Sequence, residues 1–351
     1  LETLRTKYHD YTHIYTDGSK SNDDKTGAAF FSNLVLVIGV IFDTSTRTTL
    51  SHGIIVLLLR RICAGGICTS TKRLDGQNII ITGCSAGIGK ETALDLSARG
   101  AKIIMACRDT KKAEKVATFI SQETGGETDV IQMDLSSLVS IREFSEQVKR
   151  KYSHIHQLIN NAGIMFAPKS QTVDGFDITM GTNHLGHFYL THLLLPLLKH
   201  SEPARIINLS SRAHWRGKMD FEDFNFEKRD YGLLTVYGTS KLANILFTRQ
   251  LAKEVKDSNI QVFSLHPGAV QSELGRHMPY PIANLARNGL QLFSKSTAEG
   301  AQTSIHCATE AVQDDLLYYT DCSVGDPSPA ARDDDAAQKL WKFSENVINL
   351  D

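Results

Sequence analysis

Between positions 237 and 244 the chain reads YGTSKLAN. Tyr237 and Lys241 stand four residues apart. On a helix that spacing puts both on one face, about 5–6 Å apart at Cβ. An unperturbed phenol titrates near ~10. An ammonium held within ~4–6 Å favours the phenolate and lowers that value. A phenol tuned in this way can give a proton to a carbonyl oxygen or take one from an alcohol. The same pair on a solvated helix face does no chemistry, so the surrounding elements decide which it is.

A second stretch offers a different kind of chemistry. TGCSAGIGKE, residues 82–91, sets Gly83, Gly87 and Gly89 between a β-branched run and a helical period. A pyrophosphate at a helix N-terminus is held by free backbone N–H groups and by the helix dipole. Side chains at those glycines would block its approach to the backbone. The strand–turn–helix setting separates a nucleotide turn from an ordinary tight turn.

The elements that must position both stretches repeat regularly from Lys72 onward. Strands are expected at NIIIT (78–82), AKIIMAC (101–107), TDVIQM (128–133), HQLIN (156–160), ARIINLS (204–210), IQVFSL (260–265) and LLYYT (316–320). Helical periods lie between them, as in 89–100, 137–151, 179–198 and 235–255. Strands alternating with helices predict right-handed βαβ units. The expected fold is α/β, a Rossmann-type doubly wound parallel sheet of about seven strands with helices on both faces. It occupies residues 72–351, with 1–71 as an irregular N-terminal extension.

The chain has 351 residues, a net charge of −1, 41% hydrophobic and 22% charged residues. That is globular composition, and the near-neutral balance argues against broad nucleic-acid binding. Cys63, Cys68, Cys84, Cys107, Cys307 and Cys322 are scattered. Only Cys63 and Cys68 are close, and no second pair or histidine cluster completes a zinc set, so no metal is expected. Reduced thiols facing a cytosol are the expectation.

The extension opens polar, without a secretory signal. Its apolar runs, 33–42 and 53–59, are interrupted by Asp43, Arg47 and His52. Each is far shorter than the ~20 residues a spanning helix needs. GIIVLLLRR reads either as the stub of a membrane anchor, its arginines at a headgroup surface, or as a buried or disordered leader.

The glycine spacing is G-x-x-x-G-x-G. Together with NNAG (160–163), MDLSS (133–137), LHPGAV (265–270) and the Tyr–Lys pair, it resembles the short-chain dehydrogenase/reductase family from residue 74 to about 348. The resemblance implies roles. Tyr237 would be the acid/base, and Lys241 would tune it and reach the nicotinamide ribose. Ser211 would hydrogen-bond the substrate oxygen, with Ser210 as the alternative. Asn183 would complete a proton relay through a water. The dinucleotide would lie against Gly83, Ser85, Gly87, Ile88, Gly89, Asn161, Ala162, Gly163, Pro267, Gly268 and Val270. Asp134 and its neighbour Leu135 would meet the adenine, and Ser272 the carboxamide. Arg108 stands where an NAD fold places an acidic residue, and an arginine suits a 2′-phosphate. Asp109 is the alternative ribose partner. NADP(H) is expected ahead of NAD(H). His184, His187 and His192 lack ligand partners at suitable spacing and read as structural.

LDGQNIIITG, GIGKETALDLSARGAKIIMACRD, INNAGIM, DGFDITMGTNHLGHFYLTHLLLPLL and SPAARDDDAAQKLW narrow the resemblance to the retinol dehydrogenase branch, the 11-to-14-type enzymes. That branch implies an NADP-dependent alcohol/retinol dehydrogenase acting on retinal, retinol and related lipid aldehydes. It implies anchoring to the endoplasmic reticulum facing the cytosol, with a cytoplasmic location as the alternative, and leaves room for a homodimer. Cys84-Ser85-Ala86 departs from the branch's Ala-Asn-Ser/Thr. The segment 271–295 carries Met278, Tyr280, Ile282, Leu285, Leu290, Leu292 and Phe293. It reads as a lid over an apolar substrate, as packing, or as a membrane-facing surface. HIYTDGSKSNDDKTGAAFF (13–31) resembles the opening strand of a retrotransposon ribonuclease H domain, with Asp17 at a metal-ligand position. One carboxylate cannot build a two-metal site, so no nuclease is expected. The rival reading from another class is an NADP(H)-binding sensor or scaffold without useful turnover.

Overall fold

The structure is a computed structural model that describes residues 60, 61, 63–271, 274 and 294–349. Ser272, the apolar residues named at 278–293, the ribonuclease-like stretch with Asp17, and the runs 33–42 and 53–59 lie outside the described residues. Of the two units into which the chain divides, Leu1–Ile62 and Cys63–Asp351, the second contains the sheet.

Strands and helices alternate as far as β7. They are β1 Asn78–Thr82, α1 Gly87–Ala98, β2 Lys102–Cys107, α2 Thr110–Thr124, β3 Thr128–Gln132, α3 Leu138–Lys151 and β4 Gln157–Asn160. Then come α4 Gly186–Lys199, β5 Ala204–Leu209, α5 Leu233–Glu254, β6 Ile260–His266, α6 Thr297–Thr309, β7 Tyr318–Thr320, β8 Ser323–Val324 and α7 Asp334–Val347. The strand order is β3-β2-β1-β4-β5-β6-β7-β8. All neighbours are parallel except β7 and β8. The expected seven strands are present, and β8 is an eighth, antiparallel one. The order reverses between β1 and β4, which is where such sheets open a crevice at their carboxyl ends.

Both faces of the sheet are buried, and the alternation of side chains shows how. Ile80 and Ile104 join the core formed with Phe144 of α3, Phe188 of α4, Leu246 of α5 and Leu340 of α7. Ile79, Ile81, Ile103 and Met105 point the other way, into the core with Leu96 of α1 and Ala301 of α6. Successive strand residues face opposite sides, so a strand covered on both must be apolar throughout. Each fully buried aliphatic side chain contributes ~1.5–3 kcal/mol. Helix starts are set by side chains: Asp109 caps α2, Ser137 caps α3, Asp333 caps α7, and Ser296 with Glu299 forms a capping box on α6. Among the described residues no helix is long and apolar enough to cross a membrane.

The stretch expected as one helix over 179–198 is broken into three. A single turn, Ile178–Met180, leads into a π-turn, Gly181–Leu185, and then into α4. Gly186 N–H donates to the Gly181 carbonyl, five residues back rather than four. A Cβ on Gly186 would sit 2.5 Å from the Leu135 carbonyl oxygen. The chain passes too close to β3's loop for any side chain there.

Candidate active site

The glycine turn builds one end of a cleft. Gly83 has φ 65°, and a Cβ on it would lie 2.9 Å from Ala162 Cα. A Cβ on Gly89 would lie 2.5 Å from Asn161 Nδ2. Gly83 therefore excludes a side chain for two reasons, backbone conformation and the approach of the NNAG loop, and Gly89 for the second alone. α1 differs from α2 and α3 in its first turn, because no side chain caps it. Its leading N–H groups are open to an acceptor, which is what a phosphate requires.

The cleft holds about 370 Å³ and is lined by Gly83, Ser85, Gly87, Ile88, Gly89, Arg108, Asp134, Leu135, Asn161, Ala162, Gly163, Tyr237, Lys241 and Pro267. All of these were expected from the sequence. Gly268 and Val270 do not line it among the described residues. Val270 bridges Lys295 in sheet fashion, and its side chain faces Gly300 of α6. Asn161 also latches the turn, donating from Nδ2 to the Thr82 carbonyl at 2.7 Å. Asp134 accepts from Ser136 N–H and Oγ through one carboxylate oxygen.

At the second strand's end, Arg108 is exposed on the cleft. Asp109 lines the cleft beside it and also caps α2, its Oδ1 accepting from Lys112 N–H at 3.0 Å. Both alternatives for the ribose end are therefore present at the cleft. Next to Arg108, Cys107 Sγ lies 3.8 Å from Cys84 Sγ. Burial drives the Cys84 thiol well up, while the hydrogen bond from Cys84 holds the Cys107 thiol below its usual value.

At the other end, α5 presents Tyr237 and Lys241, both buried. Lys241 Nζ lies 5.8 Å from the Tyr237 ring centre and donates to the Leu209 carbonyl at 3.0 Å. Burial lowers the Lys241 ammonium to about 8. Burial also raises the Tyr237 phenol to about 12, offset in part by its hydrogen bond with Ser211. The expectation of an ammonium-acidified phenol is thus reversed for the protein groups alone. The ammonium is tied to a backbone carbonyl, and the desolvation of phenolate outweighs its field.

Ser211 and Ser210 separate cleanly. Ser210 Oγ is buried and donates to the Lys241 carbonyl at 2.7 Å. Ser211 is the serine whose hydroxyl meets the phenol. Its own carbonyl accepts from His214 Nδ1 at 2.6 Å, and His214 Nε2 accepts from Ser328 N–H at 3.0 Å. Those two bonds fix the tautomer of His214, which burial keeps neutral with a pKa of about 4.

Asn183 sits in the π-turn and its side chain is fully engaged. Oδ1 accepts from Ile164 N–H at 2.8 Å. Nδ2 donates to the Ile164 carbonyl at 3.0 Å and to Ser240 Oγ at 2.9 Å. A Cβ on Gly163 would stand 3.3 Å from Asn183 Oδ1 and 3.4 Å from Lys241 Nζ, so the two side chains meet across that glycine.

Two contributors were missed by sequence reasoning. Ser240, inside YGTSK, joins Asn183 to the Tyr237 carbonyl, donating to it at 2.8 Å. His187 Nδ1 is 3.0 Å from the Asn183 carbonyl oxygen, and Nε2 is 2.9 Å from Thr82 Oγ1. A carbonyl only accepts, so Nδ1 carries the proton. Burial keeps the ring neutral with a pKa of about 4, so Nε2 must accept from the threonine hydroxyl. Thr82 Oγ1 in turn accepts from Ala162 N–H at 2.9 Å. One directed chain thereby joins the cofactor-side loop to the π-turn. The available signal was the four-residue step from Asn183 to His187. His184 is buried against Ser344 Oγ at 3.0 Å, in keeping with a structural role.

A family model described as short chain dehydrogenase matches residues 77–279. The chain is 45% identical over 300 residues to human retinol dehydrogenase 11, covering 83% of this chain and 92% of that protein. It is 41% identical over 302 residues to human retinol dehydrogenase 13, covering 84% and 91%. A crystal structure of an uncharacterized protein from Mycobacterium paratuberculosis superposes with a TM-score of 0.66 at 35% identity, covering 81% of this chain and 98% of that one. The Pseudomonas aeruginosa RhlG/NADP active-site complex gives 0.54 at 30% identity, covering 68% and 90%.

Proposed function

We propose, for a chain that belongs to the short-chain dehydrogenase family, the NADP(H)-dependent interconversion of a lipophilic aldehyde or ketone, retinal-like, and its alcohol. The observation that carries the reading is a cleft with an uncapped helix turn and Arg108 at one end and Tyr237 and Lys241 at the other, with Ser211 hydrogen-bonded to the phenol. The bound dinucleotide supplies the hydride. Arg108 would hold the 2′-phosphate, and the open N–H groups of α1 would take the pyrophosphate.

Tyr237 donates its hydroxyl proton to the substrate oxygen in reduction and accepts it in oxidation. Ser211 shares that oxygen by hydrogen bond and sets its distance from the phenol. Lys241, 3.0 Å from the Leu209 carbonyl, stays charged below about pH 8 and stabilises the phenolate left behind. Asn183 and His187 hold the loop that carries Gly163 at the right depth. Exposed apolar groups support a greasy substrate. Leu234 lies one turn before Tyr237 on α5, and Trp215 lies four residues after Ser211; they are 42% and 49% exposed. Membrane association and a homodimer belong to the same proposal and are carried over from the resemblance to the retinol dehydrogenase branch.

The test is steady-state turnover of the full chain with NADPH against NADH, using all-trans-retinal and a simple aldehyde. NADPH with retinal is expected to be the best pairing. Tyr237→Phe should lower kcat by ~10²–10⁴-fold while NADPH still binds. Wild-type-like turnover in that variant removes the acid role. No NADPH consumption with any apolar aldehyde favours the sensor reading instead.

A further inference from the structure

We infer that Cys68, His306 and Glu310 form a binding site for a divalent transition metal, with zinc the ion their donors suit. Cys68 Sγ, a His306 ring nitrogen and a Glu310 carboxylate oxygen all lie within 4.8 Å of one another. The site contains none of the residues assigned to dinucleotide or substrate, and it stands independently of the proposed activity.

The donor set is thiolate, imidazole and carboxylate, a combination that zinc accepts in tetrahedral geometry. With Zn–S near ~2.3 Å and Zn–O near ~2.0 Å, a tetrahedral angle sets the S···O edge at about 3.5 Å. Cys68 Sγ lies 3.5 Å from Glu310 Oε1. The corresponding N···O edge is about 3.3 Å for a Zn–N bond of ~2.0–2.1 Å. His306 Nδ1 lies 2.9 Å from Glu310 Oε1, where the two now share a hydrogen bond. The third edge, from Cys68 Sγ to the His306 nitrogen, is at most 4.8 Å, and a bound ion would draw it towards the ~3.6 Å of a tetrahedral set. His306 and Glu310 are four residues apart at the end of α6, on one face of the helix. The fourth position faces solvent beside the exposed Glu310, where a water completes the set.

The thiol is presented before any metal arrives. Cys68 N–H donates to Gln302 Oε1 of α6 at 3.1 Å. Arg99 Nη1 holds the following residues, donating to the Ser70 carbonyl at 2.7 Å and the Lys72 carbonyl at 3.3 Å. Burial raises the Cys68 thiol above its ordinary value, so binding near neutral pH releases its proton to solvent as the metal thiolate forms. Bound metal would clip the segment that precedes β1 to α6. That helix packs on α1 through Gly300, whose added Cβ would stand 3.3 Å from Ile88 Cγ1.

The experiment uses the full chain, stripped with a chelator and titrated with Zn²⁺ against a chromophoric competitor, then with Co²⁺. The expected result is one ion per chain and a Co²⁺ spectrum showing thiolate charge transfer with tetrahedral d–d bands. Cys68→Ser should abolish the charge-transfer band, and His306→Gln should weaken Zn²⁺ binding by more than the ~10–100-fold that outer-shell changes cost. Glu310→Gln, at an exposed position, keeps the test valid if either of those variants folds poorly. It should lower affinity while leaving the metal-free melting temperature unchanged. His200→Gln, at an exposed histidine outside the cluster, should bind like wild type. Failure to take up one equivalent, or a Co²⁺ spectrum without a thiolate band, overturns the site. Unchanged affinity in both Cys68→Ser and Glu310→Gln overturns it equally.

Discussion

Lys241 Nζ is 5.8 Å from the centre of the Tyr237 ring, yet its hydrogen bond goes to the Leu209 carbonyl. Charge on the lysine is therefore held beside the phenol by a backbone group. The ammonium is lowered to about 8 and the phenol raised to about 12. As pH rises, Lys241 loses its proton first, while Tyr237 still keeps its own. Carbonyl reduction should be level below about pH 8 and fall above it. Lys241→Arg keeps its charge at all accessible pH, so in that variant the alkaline limb should move up by a unit or more, at whatever residual rate. A pH–rate profile with no break near 8 in the wild type would show that this lysine does not govern the step.

Arg108 is exposed on the cleft while Asp109 is engaged as a helix cap. Arg108→Ser should weaken NADPH binding by ~10–100-fold, the worth of a charge-assisted hydrogen-bonded pair. NADH binding should change by less than threefold. Equal losses for both dinucleotides would place Arg108 away from the 2′-phosphate. Dinucleotide fluorescence titration reads both.

His187 donates to Asn183 and accepts from Thr82. Gln at 187 offers a donor and an acceptor, whereas Leu fills the space and leaves both partners unmatched. His187→Gln should retain most of kcat. His187→Leu should lose about tenfold in kcat and ~1–3 kcal/mol of stability, the cost of unsatisfied buried groups. If Leu and Gln behave alike in kcat, the ring only fills volume.

Three buried histidines and the half-buried His266 bear on acid stability. His184 and His266 are lowered to about 3, and His187 and His214 to about 4, chiefly by burial. In the unfolded chain each returns to about 6.5. Between those values the unfolded chain binds protons that the fold does not, so stability falls as pH falls. Full stability is present above pH 6.5 and is lost progressively towards pH 4, by ~1.4 kcal/mol per pH unit for each group. The depressed carboxylates, such as Asp223 and Asp334, act only below about pH 4. Melting temperature should therefore drop markedly between pH 7 and pH 5. A flat profile across that window would contradict neutral burial.

Much of this architecture could be read from residue order, and particular residues show why the remainder could not. β1 coincides residue for residue with the NIIIT run, because a strand buried on both faces must be apolar throughout. β8 is two exposed residues, Ser323 and Val324, and carries no periodic signal at all. The π-turn was hidden in a continuous helical pattern, since only the Gly186-to-Gly181 hydrogen bond reveals the extra residue. Tyr237 and Lys241 were visible from their spacing. The direction in which the phenol shifts was not, because burial is a property of the assembled core. Cys68 stands 242 residues before Glu310, beyond any local motif.

The five-residue step between Gly181 and Gly186 also constrains how this chain can change length. Each helical residue turns the chain by ~100°. Deleting any one residue from 181–185 would restore the four-residue step and leave α4 packed as it is. Surface loops elsewhere absorb insertions and deletions readily. Here a single-codon loss would spare that packing but draw Asn183 away from Ile164 and Ser240, so the fold should tolerate such an event and the site should not.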